Sequence, residues 1–168
     1  MWRAVLDRIP TRVALRKRNI SVGSDLCVLC GDGIETVDHL FSACNKSLRV
    51  WERLSEWMKI PHIYAFSIFD LLEVHKGVDG DYKAKDIVKG LILVTCWAIW
   101  KARNAKNFSD GKGDSGEFFG EVRSLGFLWL KIDPNTVILF GEIGVITHCI
   151  CCSWCLMRSC FLRPAVLQ

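Results

Sequence analysis

The stretch CVLCGDGIETVDHLFSAC, residues 27–44, decides how this chain is read. Two residues separate Cys27 from Cys30, eight separate Cys30 from His39, and four separate His39 from Cys44, a C-x2-C-x8-H-x4-C pattern. Cysteines at the first spacing aim both sulfurs at one ion from a tight knuckle, and Gly31 and Gly33 let the chain reverse toward the second pair. His39 and Cys44 suit a short helical turn and its end, with Thr36 placed to cap it. Three thiolates and one imidazole complete a tetrahedron. Zinc is the expected ion, because it has no geometric preference from its d electrons and accepts S and N ligands at about 2.0–2.3 Å. Four protein ligands leave no open coordination position, so the expected role is structural rather than hydrolytic. Zinc and three thiolates together carry a net negative charge, so any attraction for phosphate has to come from neighbouring residues.

Those neighbours are basic on the N-terminal side. Arg3, Arg8, Arg12, Arg16, Lys17 and Arg18 face only Asp7 within the first eighteen residues, which concentrates there more than the whole net charge of +4. Residues 1–20 read as two short helical pieces parted at Pro10, with Thr11 capping the second and Arg12 and Arg16 on one face. Residues 21–45 are turn-forming, and the metal rather than an apolar core is expected to hold them. Beyond Cys44, Asn45 is placed to cap a helix carrying Trp51, Leu54 and Met58. Pro61 ends it, Ser67 and Asp70 form a capping box for a short helix reaching Gly77, and a long helix is expected over residues 83–108. Its apolar register is Ile87, Leu91, Val94, Ala98 and Ala102. Ser109–Gly116 interrupts, and a last amphipathic helix runs from about Glu117 to Lys131. The expected fold is mainly α: a small Cys3His zinc-stabilised module with its basic N-terminal helix (1–60), a bundle-like helical region (61–132), and an irregular or helical apolar, cysteine-rich tail (133–168).

A chain of 168 residues is one domain's worth of material and cannot hold a complete polymerase. At 51% hydrophobic and 24% charged it is not disordered by composition. Nine cysteines without an uninterrupted apolar N-terminal run point to a reducing compartment, nuclear or cytoplasmic rather than secreted, where thiols are metal ligands or core. In the tail, Glu142 and His148 interrupt the apolar run, so a membrane span is not expected. Cys149, Cys152 and Cys155 overlap without a partner pair, so neither is a second metal site. Catalysis is not expected either. There is no carboxylate cluster able to hold two metal ions, Asp79 and Asp81 flank a glycine, His62 and His75 stand alone, and Cys96 lies in an apolar helix. No small-molecule substrate is implied. Trp97 and Trp100 read as core, and Arg103 and Asn104 as helix-end packing or partner contacts. Arg8, Arg12, Arg16, Lys17 and Arg18 are the candidate phosphate contacts to RNA or DNA, of the salt-dependent, sequence-tolerant kind.

The order of motifs resembles the zinc-binding domain at the C-terminal end of plant LINE-type, non-LTR retrotransposon reverse transcriptases. The residues that carry the resemblance are Arg8-Ile9-Pro10-Thr11, Arg18-Asn19, Cys27 and Cys30, Glu35-Thr36, His39-Leu40-Phe41, Cys44 and Val50-Trp51. Further on, Ile99-Trp100-Lys101-Ala102-Arg103-Asn104 and Gly126-Phe127-Leu128-Trp129-Leu130-Lys131 resemble segments common downstream of that domain. The likeness covers residues 3–132, and the tail after about Pro134 departs from it. It implies a noncatalytic C-terminal fragment of a polyprotein whose parent activity is RNA-directed DNA polymerisation, with that polyprotein and RNA or DNA as partners. Two other readings stay open: a zinc-stabilised protein-interaction module using exposed tryptophans, and a tail-anchored membrane protein using residues 137–157.

Overall fold

The computed structural model describes residues 1–108 and 115–132, with backbone alone for 115–118 and 129–132. The apolar tail, with the candidate span 137–157 and Cys149, Cys152 and Cys155, lies outside the described residues. The described residues fall in one compact unit.

The described residues are mostly helical and contain no strand, only a bridge between Leu26 and Ile34. Helix α1 spans Trp2–Val5 and α2 Arg12–Lys17, on either side of Pro10. Thr11 caps α2 as the sequence suggests, its hydroxyl accepting the Ala14 N–H at 3.2 Å. A π turn, His39–Ala43, leads into α3, Asn45–Met58. The cap of α3 differs from expectation. Cys44 occupies the N-cap position and Asn45 is the first helical residue, because the chain must still be extended at Cys44 for its sulfur to turn back to the knuckle. Helix α4, Ile68–Glu73, starts at the expected capping box: the Ser67 hydroxyl accepts the Asp70 N–H at 3.2 Å, and Asp70 accepts the Ser67 N–H at 2.9 Å. A 3-10 turn, Val74–Gly77, follows, and then the long α5, Tyr82–Phe108, and α6, Ser115–Ile132.

Helices α3, α5 and α6 pack on one another around Val50, Trp51, Leu54, Leu91, Ile92, Cys96, Ile99 and Val122, all of them buried. At Gly126 a Cβ would come within 2.7 Å of a Leu91 methyl, so the absence of a side chain is what lets α6 lie this close to α5. Trp57 meets Phe119 and Phe127 edge-on, with ring centroids 6.3 and 5.5 Å away. Trp97 and Trp100 are half-buried against this core, Lys101 lying over the first ring and Arg103 over the second.

The turn-rich segment is not held by its ligands alone. Leu29, Val37, Leu40 and Phe41 enter the same core as the helices, and the Trp51 indole donates to the Phe41 carbonyl at 2.7 Å. The short apolar residues between the ligands carry no periodicity, which is why this burial escapes a reading by pattern.

The strongest tie is ionic. Glu35 and Arg103 are 0% and 2% exposed, and Arg103 Nη2 lies 2.7 Å from Glu35 Oε1, with Nε 3.4 Å from Oε2. Glu35 Oε1 also accepts the Arg12 N–H at 3.0 Å, and Oε2 accepts the Val28 N–H at 2.9 Å. One carboxylate thus gathers the start of α2, the knuckle and the end of α5. Arg103 is therefore an internal partner, not a surface contact. It falls on the buried register Ile92, Cys96, Ile99, Arg103, where a guanidinium is tolerated only because the carboxylate is there.

Removing one member of such a pair strands the other charge in the interior, which costs about 3–5 kcal/mol. Arg103→Met should lower the unfolding free energy obtained from urea titration by that amount. The double change Glu35→Gln with Arg103→Met should be less damaging than Arg103→Met alone, because the neutral amide relieves the stranded charge. Equal losses in the two proteins would show that the pair contributes packing rather than charge compensation.

Candidate metal centre

The knuckle is built by backbone bonds that the glycines permit. The Cys27 N–H donates to the Gly33 carbonyl at 2.8 Å and the Gly31 N–H to the Cys27 carbonyl at 2.8 Å. Gly31 and Gly33 sit at φ of +73° and +66°, in the left-handed region that side chains disfavour. Gly33 carries a second constraint: a Cβ there would lie 2.6 Å from His39 Cε1 and 2.9 Å from Nδ1. The His39 ring lies against the bare glycine. As expected, the Thr36 hydroxyl accepts the His39 N–H, at 3.0 Å.

The π turn solves the spacing problem of the second ligand pair. Over the five steps from His39 to Cys44 an α-helix would rotate by about 500°, leaving the two side chains roughly 140° apart. Instead the Cys44 N–H donates to the His39 carbonyl at 2.6 Å, an i to i+5 bond that spans the same interval as the two ligands.

The three sulfurs and the imidazole nitrogen of Cys27, Cys30, Cys44 and His39 all lie within 4.8 Å of one another. Cys27 and Cys44 are buried, Cys30 and His39 half-buried. A tetrahedron with zinc–sulfur bonds of about 2.3 Å and a zinc–nitrogen bond of about 2.0–2.1 Å has S–S edges of roughly 3.8 Å and S–N edges of roughly 3.5 Å. Cys27 and Cys44 sulfurs are 3.9 Å apart, and Cys30 Sγ is 3.4 Å from His39 Nε2. The donor set and these two edges fit zinc, with Nε2 as the ligating nitrogen. Such an ion would cross-link the knuckle to the π turn and to the start of α3, leaving no position for substrate.

The electrostatics of the thiols follow from this placement. The Cys27 thiol donates to the Cys44 sulfur, which pushes the Cys27 pKa up and, as the principal cause, brings Cys44 down to about 5. The Lys46 and Ser47 N–H groups at the start of α3 add to the lowering at Cys44, as expected for a thiolate at a helix N-terminus. Burial raises Cys30. Cys96, wholly buried among the α5 core residues, is pushed up to about 12 by desolvation, in keeping with packing rather than reactivity.

The basic residues are placed unevenly. Arg16 pairs with the half-buried Asp25 at 2.5 Å, and Lys17 with Asp7 at 3.4 Å on the surface. Arg12 is half-buried and donates to the Leu26 carbonyl at 3.0 Å. Arg8 and Arg18 are exposed. His62 rests near the Tyr64 ring, with centroids 6.2 Å apart, and His75 bonds the Leu72 carbonyl at 2.7 Å, so neither approaches the four ligands as a fifth. Sequence reasoning missed Glu35 and Lys106 as structural parts of the centre. Lys106, from the last turn of α5, donates to the Leu29 carbonyl inside the knuckle at 3.0 Å. For Glu35 there was a signal, a carboxylate standing among glycines and apolar residues between two ligand pairs.

Residues 1–51 match the family described as zinc-binding in reverse transcriptase. The matched segment contains all four ligands and ends at Trp51, whose indole locks the π turn. Arg103 and Lys106, which hold the knuckle from outside, lie beyond it. No curated protein and no solved structure matches the chain. The match and the Cys3His group together support zinc binding in a reverse-transcriptase-related segment.

Two outcomes follow from this geometry. Gly33→Ala forces a left-handed alanine against the His39 ring, so zinc affinity in a chelator competition should fall by at least tenfold. An unchanged affinity would mean that His39 does not ligate in this orientation. Zinc has to displace the protons of Cys27 and Cys30, whereas Cys44 is already ionised above about pH 5. Between pH 7 and 8 binding should release about two protons per ion, and affinity should therefore rise with pH and weaken as pH falls. Calorimetry in buffers of different ionisation enthalpy measures the release.

Proposed function

We propose that this chain is a noncatalytic, zinc-stabilised segment of a reverse transcriptase of the plant LINE type, in which it binds RNA or DNA beside the polymerase of its parent polyprotein. The observation that carries the reading is a closed Cys3His centre, within a segment matching a zinc-binding family of reverse transcriptases, standing directly beside a cationic helix. A closed centre supplies rigidity, not chemistry. The parent activity, RNA-directed DNA polymerisation, belongs on this reading to other parts of the polyprotein.

Phosphate contact falls to cations that are not consumed internally. Arg8, in the turn between α1 and α2, and Arg18, at the end of α2, are exposed, while Arg16 and Lys17 would have to exchange Asp25 and Asp7 for phosphate. The exposed Lys17–Asp7 pair is of the weak surface kind, about 0–1 kcal/mol, so its exchange is inexpensive, whereas the half-buried Asp25 holds Arg16 more firmly.

A protein-interaction module is supported by a different observation. Tyr64 and Phe66, in the loop before α4, are 77% and 93% exposed, and of the tryptophans with described side chains Trp2 is the exposed one. The membrane reading concerns residues 137–157, which lie outside the described residues; among the described residues no helix is long and apolar enough to cross a bilayer.

Salt separates the first two. Binding of the zinc-loaded chain to single-stranded RNA and to duplex DNA, followed by fluorescence anisotropy, should weaken linearly in log–log form, with a slope near −0.7 to −0.9 per phosphate contacted. Arg8→Gln with Arg18→Gln should flatten it. A flat wild-type dependence would remove the nucleic-acid reading and leave the exposed aromatic loop as the functional surface.

A further inference from the structure

Between the start of α2, the knuckle and the last turn of α5 lies an open cleft of about 390 Å3, lined among others by Arg12, Ser24, Val28, Lys106 and Asn107. Its size falls in the range of ligand clefts, roughly 300–1,000 Å3. We propose that this cleft is a phosphate-binding subsite in which Arg12 and Lys106 are the paired cations. The proposal rests on the nucleic-acid reading above and assigns it a place and a residue, Lys106, outside the family-matched segment.

The argument begins with how the two cations are held. Arg12 Nη1 donates to the Leu26 carbonyl and Lys106 Nζ to the Leu29 carbonyl, each at 3.0 Å. These bonds occupy one of the five N–H donors of a guanidinium and one of the three of an ammonium, so both groups keep donors for a ligand. Their partners are neutral carbonyls. Arg16, Lys17, Lys101 and Arg103 are each matched with a carboxylate, whereas among the described residues neither Arg12 nor Lys106 is in an ion pair. Two cations without a carboxylate partner thus border one concavity, each tied to a knuckle carbonyl, from opposite sides. Ser24 adds a hydroxyl whose oxygen already accepts the Leu26 N–H at 3.1 Å, leaving its proton to donate, and Asn107 adds an amide. A tetrahedral oxyanion fits that donor-rich lining, and a carboxylate-lined cation site does not.

The cleft depends on the buried pair. Lys106 is three residues beyond Arg103, so the two share a side of α5, and seating Arg103 on Glu35 brings Lys106 onto the knuckle. Arg12 is set by the same carboxylate through its backbone N–H.

The test uses the full, zinc-loaded chain with two probes, a fluorescent single-stranded uridine oligonucleotide and inorganic phosphate. With the oligonucleotide, Lys106→Gln should reduce the magnitude of the log–log salt slope by about 0.7, the loss of one contact to a single strand, and lower affinity several-fold. Lys106→Arg should restore it. Lys89→Gln, about 25 Å away along the same helix, should leave it unchanged. With phosphate, the amide resonances of Lys106, Asn107 and Ser24 in the wild-type protein should shift saturably. A wild type that binds RNA with a salt-dependent slope unaltered by Lys106→Gln and Arg12→Gln overturns the cleft while the nucleic-acid reading stands. A wild type that ignores RNA but shows the saturable phosphate shifts keeps the subsite and overturns the nucleic-acid reading. Silence with both probes overturns both. Because the phosphate measurement needs no variant, a misfolded mutant does not shelter the proposal.

Discussion

A single buried carboxylate sets the arrangement of everything around the metal centre. Glu35 takes four hydrogen bonds, two from the Arg103 guanidinium and one each from the Arg12 and Val28 backbones, and is fully removed from solvent. A charge in that position is tolerable only when every acceptor site is met and a counter-charge is adjacent. The requirement is mutual: Glu35 needs the end of α5, and Arg103 needs the loop between the ligands. The segment 27–44 is consequently clamped twice. The ligand tetrahedron ties it to the π turn and α3 from within, and the ion pair ties it to α5 across 68 residues from without.

That double clamp explains why the zinc module and the following helices share one core. Leu29, Val37, Leu40 and Phe41 are too few to bury a core of their own, and small domains of this size ordinarily need a metal or a neighbour. Here both are provided for. The family match ends at Trp51, yet the knuckle carbonyl of Leu29 and the carboxylate of Glu35 are both met by side chains of α5.

The charges are sorted in the same way. Zinc held by three thiolates would form a net negative centre, and the N–H groups that open α3 stand beside its Cys44 ligand. Cations matched to carboxylates stabilise the fold or its surface. Those matched only to carbonyls, together with the free Arg8 and Arg18, remain available to an anion.

The four ligands, the helices and their caps are local properties, and they are legible in the chain as it stands. Spacing places Cys27, Cys30, His39 and Cys44; apolar register places α3 and α5; Thr11 and the Ser67–Asp70 box mark the starts of α2 and α4, because each device acts within a turn or two of backbone. Even there one local detail is missed, since whether Asn45 or Cys44 caps α3 depends on where the Cys44 sulfur must point. Glu35, Arg103 and Lys106 are of another kind. Their roles come from partners 68 and 77 residues away, and no periodicity along the chain records a pairing at that distance. Only folding brings the end of α5 onto the knuckle, and low dielectric then turns an unremarkable glutamate and arginine into the tie on which the site depends.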